Sequence, residues 1–230
     1  MPGRQEPFDA IDFTRYRARL RQLHDCLKPR TYLEIGVDAG RSLALADPST
    51  LAVGVDPAFS ADVRLGPRTR IVSQSSDEFF AREDVASQFG GAGIELAFID
   101  GLHLFEQALR DVANVARFLA PGGWIALHDT LPYDPVVAQR QRVTQKWTGD
   151  VWKVVECLRR ERPALNLVTL DVPPTGLTLV GGLHPRDTTL LDGHERLVSS
   201  YVGLPTEGYE HARSRWHVVP DGDRAVPALL

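Results

Sequence analysis

Lysine, cysteine and long apolar runs are scarce in this chain of 230 residues, and each scarcity excludes a class of protein. Only three of its 26 basic residues are lysines, the formal net charge is -4, and no basic run occurs, so we expect no nucleic-acid partner. Cys26 and Cys157 lie far apart, which argues against a disulfide framework or a zinc site and favours the reducing cytoplasm. No apolar run approaches the roughly 20 residues of a membrane-spanning helix, so we expect no membrane partner.

Apolar residues alternate between the short runs typical of strands and the three- and four-residue spacing typical of helices. Strands are predicted at 32–35, 51–55, 70–72, 94–99, 124–127, 165–170 and 177–180, and helices at 11–28, from 41 to 46, and at 76–88, 105–119, 151–160 and 189–201. This order predicts a Rossmann-like α/β fold: a seven-stranded, mainly parallel sheet with a C-terminal antiparallel hairpin and helices on both faces. Asp150 is the predicted cap of the helix at 151–160.

Two predicted strands end at an aspartate, and each aspartate lies close to a histidine. Asp100 follows the strand at 94–99, with His103 three residues later, and His128-Asp129 follows the strand at 124–127. Because ligands bind beyond the carboxyl ends of strands in such sheets, we expect these side chains to converge on a reaction site or a cation site. The plainer alternatives are that His103 caps the next helix and that His128 is a buried imidazole bonded to backbone.

A glycine turn after the first strand indicates a nucleotide-like ligand. Gly36 and Gly40 allow a tight turn that brings a ligand close to bare backbone. Asp56 ends the second strand, where a carboxylate can accept both hydroxyls of a ribose. Asp38 replaces the second glycine of a dinucleotide fingerprint, so its charge disfavours a diphosphate and a nicotinamide dehydrogenase. It suits a sulfonium and an ammonium group, and Glu34 inside the strand indicates the same preference.

These segments resemble the class I S-adenosylmethionine-dependent methyltransferases over roughly residues 30–181. More narrowly, they resemble bacterial small-molecule O-methyltransferases with Asp-Gly-x-His after strand four and His-Asp after strand five. The motifs that carry the resemblance are Glu34-Ile35-Gly36-x-x-x-Gly40-x-Ser42, Gly54-Val55-Asp56-Pro57, Ser75-Ser76-Asp77, Ile99-Asp100-Gly101-x-His103 and Leu119-x-Pro121-Gly122-Gly123 with His128-Asp129. The resemblance implies that S-adenosylmethionine contacts Glu34, Gly36, Gly40, Ser42, Asp56, Ser76, Asp77 and Asp100.

The related catechol-type O-methyltransferases imply a divalent metal, whose ligands here would be Asp100, His128 and Asp129. A histidine makes such a site softer than an all-oxygen magnesium site, so magnesium, manganese, iron, zinc or no metal all remain open. His103 stands where those enzymes carry their catalytic lysine. Its ordinary pKa of about 6.5 would suit a general base, and His128 is the second candidate for that role.

The expected function is S-adenosylmethionine-dependent O-methylation of a small hydroxylated metabolite, a sugar or a secondary-metabolite intermediate, in the cytoplasm. We expect a helical lid or dimer segment over residues 1–29, the methyltransferase domain over 30–181 and a C-terminal extension over 182–230. A homo-oligomer is left open. Two rival interpretations are a metal-dependent hydroxylase or other enzyme on the same scaffold, and a non-catalytic cofactor-binding protein.

Overall fold

Eight strands form one sheet with helices on both faces in the computed structural model, which describes residues 14–60, 62–82, 84–223 and 225–229. The strands are β1 (Thr31–Ile35), β2 (Leu51–Val55), β3 (Thr69–Val72), β4 (Ile94–Ile99), β5 (Leu119–His128), β6 (Asn166–Asp171), β7 (Leu177–Gly181) and β8 (Val218–Pro220). The helices are α1 (Arg15–Leu27), α2 (Ser76–Phe80), α3 (Val85–Gln88), α4 (Phe105–Phe118), α5 (Trp152–Glu161), α6 (Thr189–Asp192), α7 (His194–Tyr201) and α8 (Tyr209–Arg213). The predicted Rossmann-like α/β fold is therefore confirmed. None of the described helices has the length and apolar character needed to cross a bilayer.

The strand order is β3-β2-β1-β4-β5-β7-β6-β8, and only β7 runs antiparallel to its neighbours. The order reverses between β1 and β4, and a crevice opens at the carboxyl ends of strands at such a reversal. Ile99 of β4 pairs with Ile35 on one side and with Leu127 on the other. Asp100 therefore leaves the sheet between Gly36 and His128, as the strand-end argument requires.

The predicted count of seven strands is wrong, because β8 adds an eighth beside β6. Val218 pairs in parallel with Thr169, and Pro220 is the last paired residue. Three residues are too few to show an alternating pattern in a sequence. Without an N–H group, Pro220 cannot donate to a further ladder, which suits an edge strand.

Several predicted boundaries also differ from the structure, each for a local reason. The stretch predicted to begin a helix at 41–46 contains only a 3₁₀ turn, Leu43–Leu45, because Pro48 follows and disfavours helical backbone before it. The predicted helix at 76–88 is two short helices, and the one at 189–201 is interrupted at Gly193. β5 begins at Leu119, five residues earlier than predicted, with a shift in its pairing to β4. Residues 11–13 of the first predicted helix lie outside the described residues.

The side chains of β1 divide between the two faces of the sheet. Leu33 and Ile35 pack into the core beneath α4, and Tyr32 faces α1, where its ring meets His24 edge-on at 4.6 Å. Glu34 shares the α1 face and has no solvent exposure. Its carboxylate accepts hydrogen bonds from Tyr32 Oη at 2.7 Å and Ser42 Oγ at 2.6 Å. Burial raises the pKa of the Glu34 carboxyl from 4.5 to about 8, although these two bonds favour the ionised form.

The turn after β1 needs glycine because of the chain that passes over it. Gly36 has φ +81°, and a Cβ atom there would lie 2.1 Å from the Asp100 carbonyl oxygen. The sequence argument attributed this glycine to the approach of a ligand, whereas the close neighbour is the backbone that follows β4. The glycine therefore fixes the distance between the two strand ends.

Gly36→Ala should destabilise the fold far more than Gly122→Ala. Gly122 has a similar φ of +76°, but a Cβ there would meet nothing within 4 Å. Gly122→Ala should lower the free energy of unfolding by roughly 1–2 kcal/mol, because alanine disfavours left-handed backbone. Gly36→Ala should lower it by at least twice as much, because the backbone at residue 36 must also move away from the Asp100 carbonyl group. Urea denaturation measures both losses. Equal losses would contradict a rigid contact between the strand ends.

The buried Glu34 should make the protein less stable as the pH rises from about 5 to 8. The unfolded chain loses the Glu34 proton near pH 4.5, whereas the folded protein keeps it to about pH 8. Unfolding therefore releases a proton in this window, and the free energy of unfolding falls by at most about 1.4 kcal/mol per pH unit. Glu34→Gln should remove this slope in denaturation measured across the window. An unchanged slope in the variant would contradict a protonated Glu34.

Candidate active site

A cleft of about 550 Å³ lies at the carboxyl ends of β1, β2 and β4. Of the residues predicted to hold a cofactor, it is lined by Gly36, Ser42, Asp56, Ser76, Asp77 and Asp100. Glu34 and Gly40 lie behind this wall instead. Glu34 reaches the cleft only through its hydrogen bond with Ser42. We call this space the cofactor cleft.

Asp56 faces the cofactor cleft, and its hydrogen bonds also hold the neighbouring wall of the cleft in place. Its Oδ2 atom accepts the backbone N–H groups of Val37 at 2.8 Å and Asp38 at 2.9 Å, and its Oδ1 atom accepts that of Ala58 at 2.7 Å. These bonds hold the β1 turn against the end of β2. A carboxylate has about four acceptor sites, so after these three bonds Asp56 keeps about one site for a ribose hydroxyl.

The far end of the cofactor cleft is a polar pocket made by α2 and α4. Ser75 caps α2 by accepting the Glu78 backbone N–H, and the Glu78 carboxylate accepts the Ser75 backbone N–H in return. Gln107 donates to Ser76 Oγ at 3.2 Å and to Asp77 Oδ1 at 3.1 Å, and Arg110 pairs with Asp77 at 2.7 Å. Fixed polar groups here suit a heterocyclic base.

A second cleft of about 550 Å³ adjoins the first, and we call it the acceptor cleft. It lies between the ends of β4 and β5, the turn at Pro174-Thr175 and the loop of residues 142–148. The two clefts share the wall residues Tyr16, Asp38, Asp100, Gly101 and Leu102. A group bound in one cleft can therefore reach a group bound in the other across this wall.

Asp100 of the shared wall forms a tight cluster with His103 and Asp129 of the acceptor cleft, with one ligand atom from each lying within 4.8 Å of the others. His103 Nε2 lies 3.4 Å from Asp100 Oδ1, and His103 Nδ1 lies 3.1 Å from Asp129 Oδ2. Asp129 takes left-handed backbone, with φ +60°, and accepts a hydrogen bond from Thr175 Oγ1 at 2.5 Å. The imidazole thus bridges two carboxylates.

The imidazole in this cluster is that of His103, whereas His128 was the predicted ligand. His128 Nδ1 lies 3.0 Å from Asp100 Oδ1, and its ring packs 4.2 Å from that of Tyr16. The side chain is 7 % exposed, and its Nε2 atom is buried with no hydrogen-bond partner among the described residues. His128 Nδ1 also lies 3.5 Å from Asp129 Oδ1, so this second imidazole contacts the same two carboxylates, although the atoms of the cluster come from His103.

The loop before α5 fixes the orientation of His103. The carbonyl oxygen of Trp147 lies 2.7 Å from His103 Nδ1, which favours the proton on Nδ1 and turns Nε2 toward Asp100. Gly149 passes so close that a Cβ there would collide with the His103 carbonyl oxygen. Asp150 was predicted to cap α5, but its Oδ1 atom accepts the Phe105 N–H at 2.7 Å and so caps α4. His103 itself makes no cap.

The charges in the cluster shift the pKa values of its members. Burial lowers the pKa of the His103 imidazole, but Asp129 and Asp100 outweigh it and raise the value to about 9. Burial likewise favours neutral Asp100, yet His128 and His103 hold the pKa of its carboxyl well below the usual range. His103 therefore carries a proton at neutral pH, unlike the neutral imidazole assumed from its ordinary pKa.

Sequence reasoning missed the residues that reach the site from distant segments. Tyr16 of α1 lies between the two clefts, and Arg17 lines the cofactor cleft. In the sequence, Tyr16 belongs to the apolar stripe of a helix, and nothing local links that helix to the strand ends. Arg142 and Trp147 line the acceptor cleft from the loop of residues 142–148, and no sequence motif marks them either.

Comparison with known proteins agrees with this geometry. Residues 33–130 match a family described as a methyltransferase domain. No curated protein matches the chain. Its fold is similar to that of cofactor-bound Rv0187 from MTB, with a TM-score of 0.57, 16% identity, and 78% of this chain and 84% of that one covered.

Two solved O-methyltransferases have a similar fold. TomG from Streptomyces achromogenes is involved in tomaymycin synthesis and was solved with SAM. It gives a TM-score of 0.55 and 17% identity, and the match covers 76% of this chain and 82% of that one. The O-methyltransferase from Bacillus cereus, solved with SAH, gives a TM-score of 0.54 and 13% identity, and the match covers 76% of this chain and 84% of that one. At such identities the likeness concerns the fold. Residues 33–130 are therefore similar to a methyltransferase domain, and the fold of the chain is similar to that of O-methyltransferases solved with SAM or SAH.

Proposed function

We propose that this methyltransferase moves the methyl group of S-adenosylmethionine to a hydroxyl oxygen of a small metabolite. The observation that carries the proposal is the wall shared by the two clefts, where Asp100 forms a cluster with His103 and Asp129 of the acceptor cleft. Methylation of a hydroxyl needs alignment of oxygen, methyl carbon and sulfur, and it needs the hydroxyl proton to leave. Groups that promote proton loss are useful only at that wall. The O-methyltransferases of similar fold support oxygen as the acceptor atom.

The residues of the cofactor cleft fit S-adenosylmethionine. Asp56 faces the cleft with unused acceptor capacity, as a ribose requires. Asp38 and Asp100 bring carboxylates to the end near the acceptor cleft, where a sulfonium and an ammonium group would lie. We assign direct contact to Gly36, Ser42, Asp56, Ser76, Asp77 and Asp100, and an indirect role to Glu34 and Gly40.

The cluster also fits a divalent metal ion. Two carboxylates and an imidazole already converge, and the Trp147 carbonyl group lies 2.7 Å from His103 Nδ1, as the carbonyl partner of a metal-binding histidine commonly does. We propose Asp100, His103 and Asp129 as the ligands, with His128 positioning Asp100. The mixed donor set suits manganese, iron or zinc as well as magnesium. A bound ion would lower the pKa of an acceptor hydroxyl.

In this proposal the protein's own side chains orient the acceptor and hold its charge. His103 gives up its proton when another cation balances the two carboxylates, because only a neutral imidazole can be a ligand. Leu102, 53 % exposed, and Trp147 offer apolar surface in the acceptor cleft, and Arg142 offers a cation there. This lining suits a hydroxylated ring, such as a sugar or a secondary-metabolite intermediate.

The remaining expectations are kept as proposals. The free thiols Cys26 and Cys157 support the proposal that the protein works in the reducing cytoplasm. Tyr16 supports a lid role for the segment 1–29, and β8 shows that part of the extension 182–230 completes the sheet.

Asp129→Asn should weaken both metal binding and catalysis. The protein is stripped with a chelator and given S-adenosylmethionine with a panel of catechols and sugars. Adding back magnesium, manganese or zinc should then raise methyl transfer about 100-fold or more, since a bound metal contributes several kcal/mol. Asp129→Asn should reduce this gain and raise the Kd for manganese in calorimetry.

The matched control is Asp134→Asn in the same loop. The Asp134 carboxylate accepts the Val136 backbone N–H at 2.7 Å, and Asp134 is not among the described residues that line either cleft. It should leave metal binding and turnover unchanged. Full activity of the stripped protein, with Asp129→Asn as active as Asp134→Asn, would overturn metal assistance. Proton removal would then fall to His103 or His128, and His103→Gln would tell which.

A further inference from the structure

The two ends of the cofactor cleft are chemically different. One end is the polar pocket of Ser76, Asp77 and Gln107, and the other is the wall shared with the acceptor cleft. The transferred methyl group must face the acceptor, and in S-adenosylmethionine the sulfonium joins the nucleoside to the amino-acid tail. In that orientation the amino-acid tail would extend along the shared end, where Tyr16 and Arg17 of α1 line the cofactor cleft.

This end of the cleft contains one cation that pairs with no described carboxylate. Arg17 and Arg41 are the cationic residues among the described lining residues. Arg41 forms an ion pair with Asp62. Arg17 makes no ion pair with any described residue, and the carbon at the centre of its guanidinium lies 5.7 Å from the centroid of the Tyr16 ring. The guanidinium is half-buried beside the cleft, in a chain whose net charge is negative.

We infer that Arg17 binds the α-carboxylate of the cofactor's amino-acid tail. The fork of N–H groups on a guanidinium matches the two oxygens of a carboxylate, and a charge-assisted pair of this kind is strong. Asp38 and Asp100 lie at the same end and suit the ammonium group of that tail. The inference rests on S-adenosylmethionine being the cofactor, and it assigns a contact outside residues 33–130, the segment that matches the methyltransferase domain.

The rest of the fold keeps Arg17 in this place. Arg19, two residues on, is buried and pairs with Asp221 at 2.5 Å, and Arg15 pairs with the same carboxylate at 2.6 Å. Gln22 donates to the carbonyl oxygen of Asp223 at 3.0 Å. Leu20 and other apolar residues of α1 are fully buried against the sheet. The C-terminal segment thus anchors the helix that carries the carboxylate-binding arginine.

Two ligands that differ in the amino-acid tail test the inference. S-adenosylhomocysteine has the α-carboxylate, and 5′-methylthioadenosine has the same nucleoside and thioether without it. Arg17→Gln should raise the calorimetric Kd for S-adenosylhomocysteine by about 10- to 100-fold, and it should leave the Kd for 5′-methylthioadenosine unchanged. Arg17→Lys should raise the Kd for S-adenosylhomocysteine by less, because lysine keeps the positive charge and loses only the forked pair of N–H groups.

Arg21→Gln is the matched control, since it removes the same charge one helical turn away, where the guanidinium donates to the Leu45 carbonyl oxygen. It should bind both ligands as the unmodified protein does. Equal weakening by Arg17→Gln and Arg21→Gln, or equal weakening for both ligands, would overturn the Arg17 contact while leaving the cofactor assignment in place. If the unmodified protein bound 5′-methylthioadenosine and S-adenosylhomocysteine equally well, the carboxylate subsite would also be refuted. Failure to bind either ligand would instead contradict the cofactor assignment itself.

Discussion

The contact between the turn after β1 and the end of β4 sets the dimensions of the whole site. The backbone of Gly36 lies so close to the Asp100 carbonyl group that no side chain fits between them. Asp56 holds the same turn from the other side through two backbone N–H groups. With both strand ends fixed, Asp100 is held in the wall between the two clefts. This backbone contact therefore fixes the spacing of two strand ends that line the cofactor cleft.

Charge balance governs what happens at that wall. Asp100 and Asp129 would repel each other across the cluster without a cation, and His103 supplies one by bridging them. The same arrangement that holds a proton on His103 can hold a metal ion once the proton leaves. His128 and Thr175 support the carboxylates from outside the cluster. The protonated His103 therefore places a positive charge between two carboxylates in the acceptor cleft.

Features carried by continuous segments could be predicted from the sequence, and features made by distant segments could not. The strand at Ile94–Ile99 and its terminal Asp100 were predictable, because a buried parallel strand is an apolar run with a polar end. The three-residue β8 was not, since only its pairing with β6 makes it a strand. The choice of His103 over His128 as the converging imidazole depends on the Trp147 carbonyl group, 44 residues away.

Tyr16 and Arg17 show the same limit for the candidate site. Their spacing predicts a helix and nothing more, and their place above the cofactor cleft comes from the anchoring of α1 to Asp221. Asp150 was correctly taken as a capping residue but assigned to the wrong helix, because the cap crosses from one segment to another. In each case the sequence predicted the helix or the cap, but it could not predict which distant segment of the chain it contacts.

The crystal structure of the complex with S-adenosylhomocysteine tests the central claim most directly, because it shows where the sulfur lies relative to the shared wall. The account predicts the nucleoside between Asp56 and the pocket of Ser76 and Asp77, with the sulfur beside Asp100 and Tyr16 and facing the acceptor cleft. A sulfur atom directed away from the cluster of Asp100, His103 and Asp129 would contradict it.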